Sequence, residues 1–300
     1  MHYFVDFDPV FLHLGPLKIH WYGISYLVAF LQFLLLGKYR ARHMGWEPDA
    51  VADLLFYGAF GVILGGRIGW WLFYNDTPFV SDPTQILRVW EGGMSFHGGL
   101  LGVLVAMWLW AQKTHRPFLE VADFVAPLVP LGILAVRIGG NFVGGELWGR
   151  VTQSDWGMIF RHALPDHLAG LPHATLQQMN QNGQLDAYLR HPSQLYEAFL
   201  EGLVTFVVVW LVANKTRKPG VVSGTFLLCY GLARFAVEFF REPDANRGFV
   251  AFGWMTMGQA LSFPMIIAGL ALIAWGMRQA PRYCGSNQPV TATKRQNSSR

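Results

Sequence analysis

The sequence predicts an all-α polytopic membrane protein, and three observations carry that reading. Charged residues are 14% of the 300-residue chain, where soluble domains average roughly 25%. About seven apolar runs divide it, separated by short polar stretches. Lys and Arg gather at every second end of those runs, as they do where cytoplasmic loops retain positive charge. The net charge of +4 comes from these clusters and not from a basic stripe, so nucleic acid is not an expected partner. The expected architecture is about seven transmembrane helices, N-terminus periplasmic, C-terminus cytoplasmic, with a small external head segment.

Residues 1–17 set Phe4, Phe7, Phe11 and Leu12 among Asp6 and Asp8, which suits a segment lying at the membrane interface. They lack the basic start and small-residue site of a signal peptide, so no removal is expected. The first span, about 19–36, ends in Lys38, Arg40 and Arg42. The second, about 51–73, carries Gly61, Gly65 and Gly69 at intervals of four, a pattern that lets helices pack closely in lipid. A loop with Asp76, Asp82 and Glu91 leads to the third span, about 96–110, which exits at Lys113, His115 and Arg116. The fourth, about 118–142, delivers the stretch Arg137 to Arg150. Residues 149–190 turn polar and form the expected external head. The remaining spans are about 196–212, closed by Lys215, Arg217 and Lys218; about 221–240; and about 255–275, closed by Arg278 and Arg282. Residues 1–284 are expected to be one transmembrane catalytic domain, with 285–300 a disordered cytoplasmic tail poor in apolar residues.

The stretch Arg-Ile-Gly-Gly-Asn-Phe-Val-Gly-Gly-Glu-Leu-Trp-Gly-Arg, residues 137–150, follows the apolar run 124–136. An ionisable group at mid-membrane costs about 2.5 to 3.5 kcal/mol even on lenient scales, so it marks a candidate site. The glycines Gly139, Gly140, Gly144, Gly145 and Gly149 let backbone unwind and approach a ligand. Within or beside the spans also stand Arg67, His97, Asp123, Glu197, Glu201, Arg234, Glu238 and Arg241. Four arginines and a histidine favour an anion, because the guanidinium fork grips phosphate with two parallel hydrogen bonds and stays charged when desolvated.

Several of these residues have two readings. Arg234, Glu238 and Arg241 share one helix face and are either an anion grip or an ion-pair staple. Glu197 and Glu201 are proton-relay carboxylates or ties to neighbouring arginines. His97, followed by Gly98, Gly99 and Gly102, is a base open to substrate or a structural ring. Trp70, Trp71, Trp90 and Trp148 read as an interfacial belt. His162, His167 and His173 read as surface, and Cys229 and Cys284 offer neither a disulfide framework nor metal spacing.

Six separated motifs then identify a resemblance: His20-Trp21-Tyr22-Gly23; Gly65-Gly66-Arg67-Ile68-Gly69; Gly93 to Gly99; the 137–150 stretch; His191-Pro192-Ser193-Gln194-Leu195-Tyr196-Glu197; and Tyr230-Gly231 through Arg234 to Arg241. In this order they resemble the bacterial prolipoprotein diacylglyceryl transferases over nearly the whole chain. The resemblance implies a multi-pass inner-membrane enzyme that moves diacylglyceryl from phosphatidylglycerol to the lipobox cysteine thiol of a preprolipoprotein, releasing glycerol phosphate, with no cofactor and no metal. It makes His97, Arg137 and Arg234 the catalytic candidates. Tyr22, Gly98, Asn141, Glu146, Gly149 and Tyr230 join Arg137 and Arg234 in binding phosphatidylglycerol. Arg67, Asp123, Glu197, Glu238 and Arg241 support them. The family pattern Arg-x-Gly-Asn-Phe-x-Asn-Gly-Glu is departed from twice: one extra residue lies between Arg137 and Asn141, and Gly144 replaces an Asn. The competing class is a transporter or flippase for anionic lipid, but no repeat between the halves supports it.

Overall fold

The computed structural model describes residues 2–15, 17–74, 83–88, 92–243 and 248–281. Asp76, Asp82, Trp90, Glu91, Arg282, Cys284 and the 285–300 tail lie outside the described residues. The long helices are α1 (Trp21–Met44), α2 (Asp49–Tyr74), α3 (Phe96–Lys113), α4 (Phe118–Phe142), α5 (Ser193–Lys215), α6 (Val221–Val237) and α7 (Met257–Met277). Five of them, α1, α2, α4, α5 and α7, are long and apolar enough to cross a membrane. Helix α6 is apolar but shorter; its 17 residues, at about 1.5 Å each, fall just short of a hydrocarbon core about 30 Å thick. Leu, Phe and Trp side chains stand exposed along these helices, as expected where lipid is the solvent.

Small residues decide which helices touch. On α2 and α3 the glycine rows mesh: a methyl added at Gly69 would sit 2.8 Å from the Cα of Gly98. Ser95 caps α3 by accepting a hydrogen bond from the Gly98 amide at 3.2 Å. Helices α6 and α7 pack through Gly224, Gly231 and Gly269. At the end where α1, α3 and α5 finish, Trp46 stacks on Phe124 at 4.3 Å and on Trp110 at 5.4 Å. Asp123 accepts from the Gly220 amide at 2.7 Å and from Ser223, capping the start of α6. Near it, Arg40 of α1 reaches the Asp123 carbonyl, and Lys218, just past α5, donates to the carbonyl of Met277 at the end of α7 at 2.5 Å.

Helix α4 is not regular. It passes through a 3₁₀ turn, Ala126–Leu128, which contains Pro127 and precedes Pro130, and closes as a π-helix over Val136–Phe142. Helix α5 likewise becomes π-helical over Ala198–Val204. The π segment of α5 packs against α4 so closely that a methyl at Gly202 would lie 2.6 Å from Leu134 Cβ.

The N-terminal segment, expected only to lie at an interface, carries strands. It forms β1 (Tyr3–Val5) and a hairpin of β2 (Val10–Leu14) and β3 (Leu17–His20). Strand β1 pairs in parallel with β4 (Met158–Phe160) of the polar segment. Ile159, Leu164, Leu176, Leu185 and Leu189 form a core beneath them. Asp6 ties the pieces by an ion pair to Arg161 at 2.9 Å and a side-chain hydrogen bond with His173 at 2.5 Å.

Candidate active site

The two π segments bring the buried charges to one level. A π turn takes about one residue more than an α turn and gathers at functional sites. In α4 it absorbs the residue between Arg137 and Asn141, so both side chains stay on one face, with Arg137 Nη1 3.4 Å from Asn141 Oδ1. In α5 it follows Glu197 and carries Glu201. Arg137 contacts Glu197 at 3.0 Å and Glu201 at 3.2 Å. From α6, Arg234 meets Glu197 at 2.5 Å, Glu201 at 3.5 Å and Glu238 at 2.8 Å. Arg241 reaches Glu197 at 3.2 Å. Glu238 also accepts the Thr256 hydroxyl at 2.8 Å, which links the network to the capping box of α7. Both paired readings of the glutamates and of the Arg234, Glu238, Arg241 row thus have their ion pairs in the structure.

Exposure orders the cluster. The side chains of Glu197 and Glu201 have 0% exposure, while those of Arg137 and Arg234 keep 16% each. An approaching ligand meets guanidinium first and carboxylate behind it. Such an arrangement holds planar donors pointed outward while avoiding an uncompensated buried charge.

Beside it a cavity of about 640 Å³ is lined by Pro9, Ile19, His20, Trp21, Tyr22, Gly23, Gly140, Gly144 and Glu146. Two of the expected headgroup residues, Tyr22 and Glu146, are therefore brought together, and the Tyr22 ring lies against Gly140. Tyr22 also shares a hydroxyl contact of 3.3 Å with Tyr26. Pro9 and Ile19 arrive on the hairpin, a pairing set by tertiary contacts. The motif His20-Trp21-Tyr22-Gly23 was the sequence signal for this wall, although only Tyr22 had been singled out from it.

Other expected residues take different places. His97 stands exposed at the start of α3, its ring edge-on to Phe96 at 5.6 Å, and does not line the cavity. Gly98 serves the α2–α3 contact. Gly149 threads between two backbones: its amide donates to His191 O at 2.9 Å, and an added methyl would fall 2.5 Å from both His191 O and Phe240 O. Arg67 turns to backbone carbonyls, those of Ile86 at 3.2 Å and Gln85 at 2.5 Å together with Gly92 and Gly93, and stacks on Trp70 at 4.6 Å. Asp123 caps α6 at the far end. Among the described residues no group of His, Cys, Asp or Glu could hold a metal ion.

The sequence model of the family described as prolipoprotein diacylglyceryl transferase matches residues 9–275. The chain belongs to that family. A phosphatidylglycerol-prolipoprotein diacylglyceryl transferase of Xanthomonas oryzae pv. oryzae (strain PXO99A) is 55% identical over 296 residues, covering 98% of this chain and 97% of that protein. One of Xanthomonas euvesicatoria pv. vesicatoria (strain 85-10) is 54% identical over 284 residues, 94% of this chain and 95% of its own. Family membership and the apolar helices make this diacylglyceryl transferase relative a multi-pass membrane protein.

Proposed function

We propose that the protein transfers the diacylglyceryl group of phosphatidylglycerol to the lipobox cysteine thiol of preprolipoproteins, forming a thioether and releasing glycerol phosphate. This is the first step of lipoprotein maturation. The observation that carries the reading is a full-length family match combined with two outward-facing arginines set over enclosed glutamates. Seven crossings, a periplasmic N-terminus and head, a cytoplasmic C-terminus and residence in the bacterial inner membrane complete the proposal. Residues 1–284 act as one catalytic domain and 285–300 as its tail.

In this reading Arg137 and Arg234 hold the phosphodiester. The bond broken joins glyceryl carbon to phosphate oxygen, so negative charge grows on the departing phosphate. Fixed guanidinium donors then stabilise the transition state more than the bound lipid. Asn141, Glu146, Tyr22 and Tyr230 orient the headgroup, and the cavity of about 640 Å³ beside them gives it room. A thiol at its free pKa of about 8.5 is a weak nucleophile until it loses its proton. His97 is the proposed base, and its open ring at the start of α3 requires the peptide to come to that exposed edge. Gly98 and Gly149 contribute by permitting close backbone approach; Arg67, Asp123, Glu197, Glu238 and Arg241 support. An anionic-lipid transporter is the reading set aside.

The test is incubation of purified protein with phosphatidylglycerol and a lipobox peptide. The expected product is the diacylglyceryl thioether with one glycerol phosphate released per peptide. Lipid movement across a vesicle without any thioether would favour the transporter.

A further inference from the structure

Glu201 has a part that ion pairing alone does not account for. Three guanidiniums, Arg137, Arg234 and Arg241, face three carboxylates, Glu197, Glu201 and Glu238, so the cluster is formally neutral before any lipid arrives. A phosphodiester brings one further negative charge into a site where Glu197 and Glu201 are wholly enclosed and Glu238 nearly so. An uncompensated buried charge is strongly unfavourable, and a second anion beside a carboxylate favours its neutral form.

The three carboxylates are not held equally. Glu197 contacts all three arginines, and Glu238 has both Arg234 and the Thr256 hydroxyl at 2.8 Å. Glu201 has one hydrogen bond, from Arg137 at 3.2 Å, and a looser contact of 3.5 Å with Arg234. Among the described residues each of the three carboxylates has one oxygen that accepts no hydrogen bond, Oε2 in Glu197 and Glu238 and Oε1 in Glu201, so what sets Glu201 apart is its fewer and longer contacts. The groups facing it are Arg137 from α4, Arg234 and Tyr230 from α6, and Glu197 one turn back on α5. Its two partners are the pair assigned above to the phosphate, so it is the carboxylate that an incoming phosphate displaces first.

We propose that Glu201 is the proton carrier of the anion site, taking up one proton as the phosphodiester displaces it from Arg137 and Arg234 and giving that proton to the departing phosphate. The inference rests on the transferase reading. The sulfur forms its bond to the glyceryl carbon as the bond from that carbon to the phosphate oxygen breaks, leaving the electron pair on the oxygen. Glu201 passes its proton to the phosphate and returns to the carboxylate, and the thiol's own proton leaves through His97 to water. One proton enters with the lipid and one leaves with turnover.

The experiment measures protons on binding. Purified protein in weakly buffered detergent at neutral pH is titrated with short-chain phosphatidylglycerol, without peptide, and read with a pH indicator. The expected uptake is about one proton per lipid bound, because the bound phosphodiester carries one charge. Short-chain phosphatidylcholine, whose net charge is zero, gives none. Glu201→Gln binds phosphatidylglycerol without uptake, and its kcat falls about a hundredfold, the usual scale of a lost proton donor, while KM does not rise. Glu201→Asp recovers part of both. Lipid binding by the wild type with no proton uptake, or the same uptake in Glu201→Gln, overturns the proposal. If the variant fails to fold, the wild-type stoichiometry decides alone. Uptake on binding with no thioether formed by the wild type would instead sink the transferase reading and leave the proton coupling standing.

Discussion

Arg234 shows why charge alone does not define a site residue. Its fork touches Glu197 at 2.5 Å and Glu238 at 2.8 Å on different helices, a geometry that a lysine's single ammonium does not reproduce. Arg234→Ala is expected to abolish transfer, and Arg234→Lys to restore little of it; full activity in the lysine variant would mean that only net charge counts there. His97 offers the opposite case. Among the described residues its ring makes no hydrogen bond and only an edge contact with Phe96, so His97→Asn is expected to melt like the wild type and bind phosphatidylglycerol normally. Its transfer rate should drop and recover in part at raised pH, where the thiol is already ionised. Loss of folded protein without selective loss of turnover would take His97 out of the catalytic set.

At the scale of elements, the contact between the π segments aims the site. Gly202→Val puts side-chain atoms where Leu134 already stands, 2.6 Å from an added methyl, and overpacking of this kind costs about 1 to 3 kcal/mol. Because the push separates Arg137 from Glu201, activity is expected to fall further than the melting temperature suggests; equal losses in Gly202→Val and in a variant of the α6–α7 contact, Gly224→Val, would show that only stability was touched. The junction between head and α5 carries a pH dependence. Burial against Phe240 and Tyr196 pushes the His191 imidazole below its ordinary value. A ring kept neutral in the fold contributes stability above its unfolded pKa, and that contribution is lost as pH falls through it. Thermal melts from pH 7.5 to 5.5 should therefore fall less steeply for His191→Phe than for the wild type.

For the whole molecule, the alternation of basic ends fixes an expected orientation. The clusters around Lys38 to Arg42, Lys113 to Arg116 and Lys215 to Lys218 are expected to share one side, and residues 150–190 to take the other. A single cysteine at Gly170, exposed in the head, should react with an impermeant thiol reagent from outside the membrane. Labelling only after the cytoplasmic face is opened would overturn the topology. The pairing of β1 with β4 joins the two ends of the first 160 residues, so removing residues 2–8 is expected to loosen the head as well as the hairpin wall of the cavity.

What the sequence determined by itself was the set of helices, their basic ends and the family, because apolar length, charge placement and motif order are local properties that lipid and relatives alike make legible. The starts of α3 and α4 were read from where apolar runs begin, and the small-residue face of α2 from the four-residue spacing of its glycines. The tertiary structure alone decided which charges meet. Arg67 and Arg137 look alike in sequence, each set among glycines near an apolar run, yet one is taken up by loop carbonyls and the other by Glu197 and Glu201. Nor does any local pattern announce β1, whose partner lies in residues 158–160. The physical reason is range: hydrophobic period and helix length are fixed by neighbours along the chain, whereas the partner of a buried ion is fixed by whichever helix the packing of small residues brings within about 3 to 4 Å.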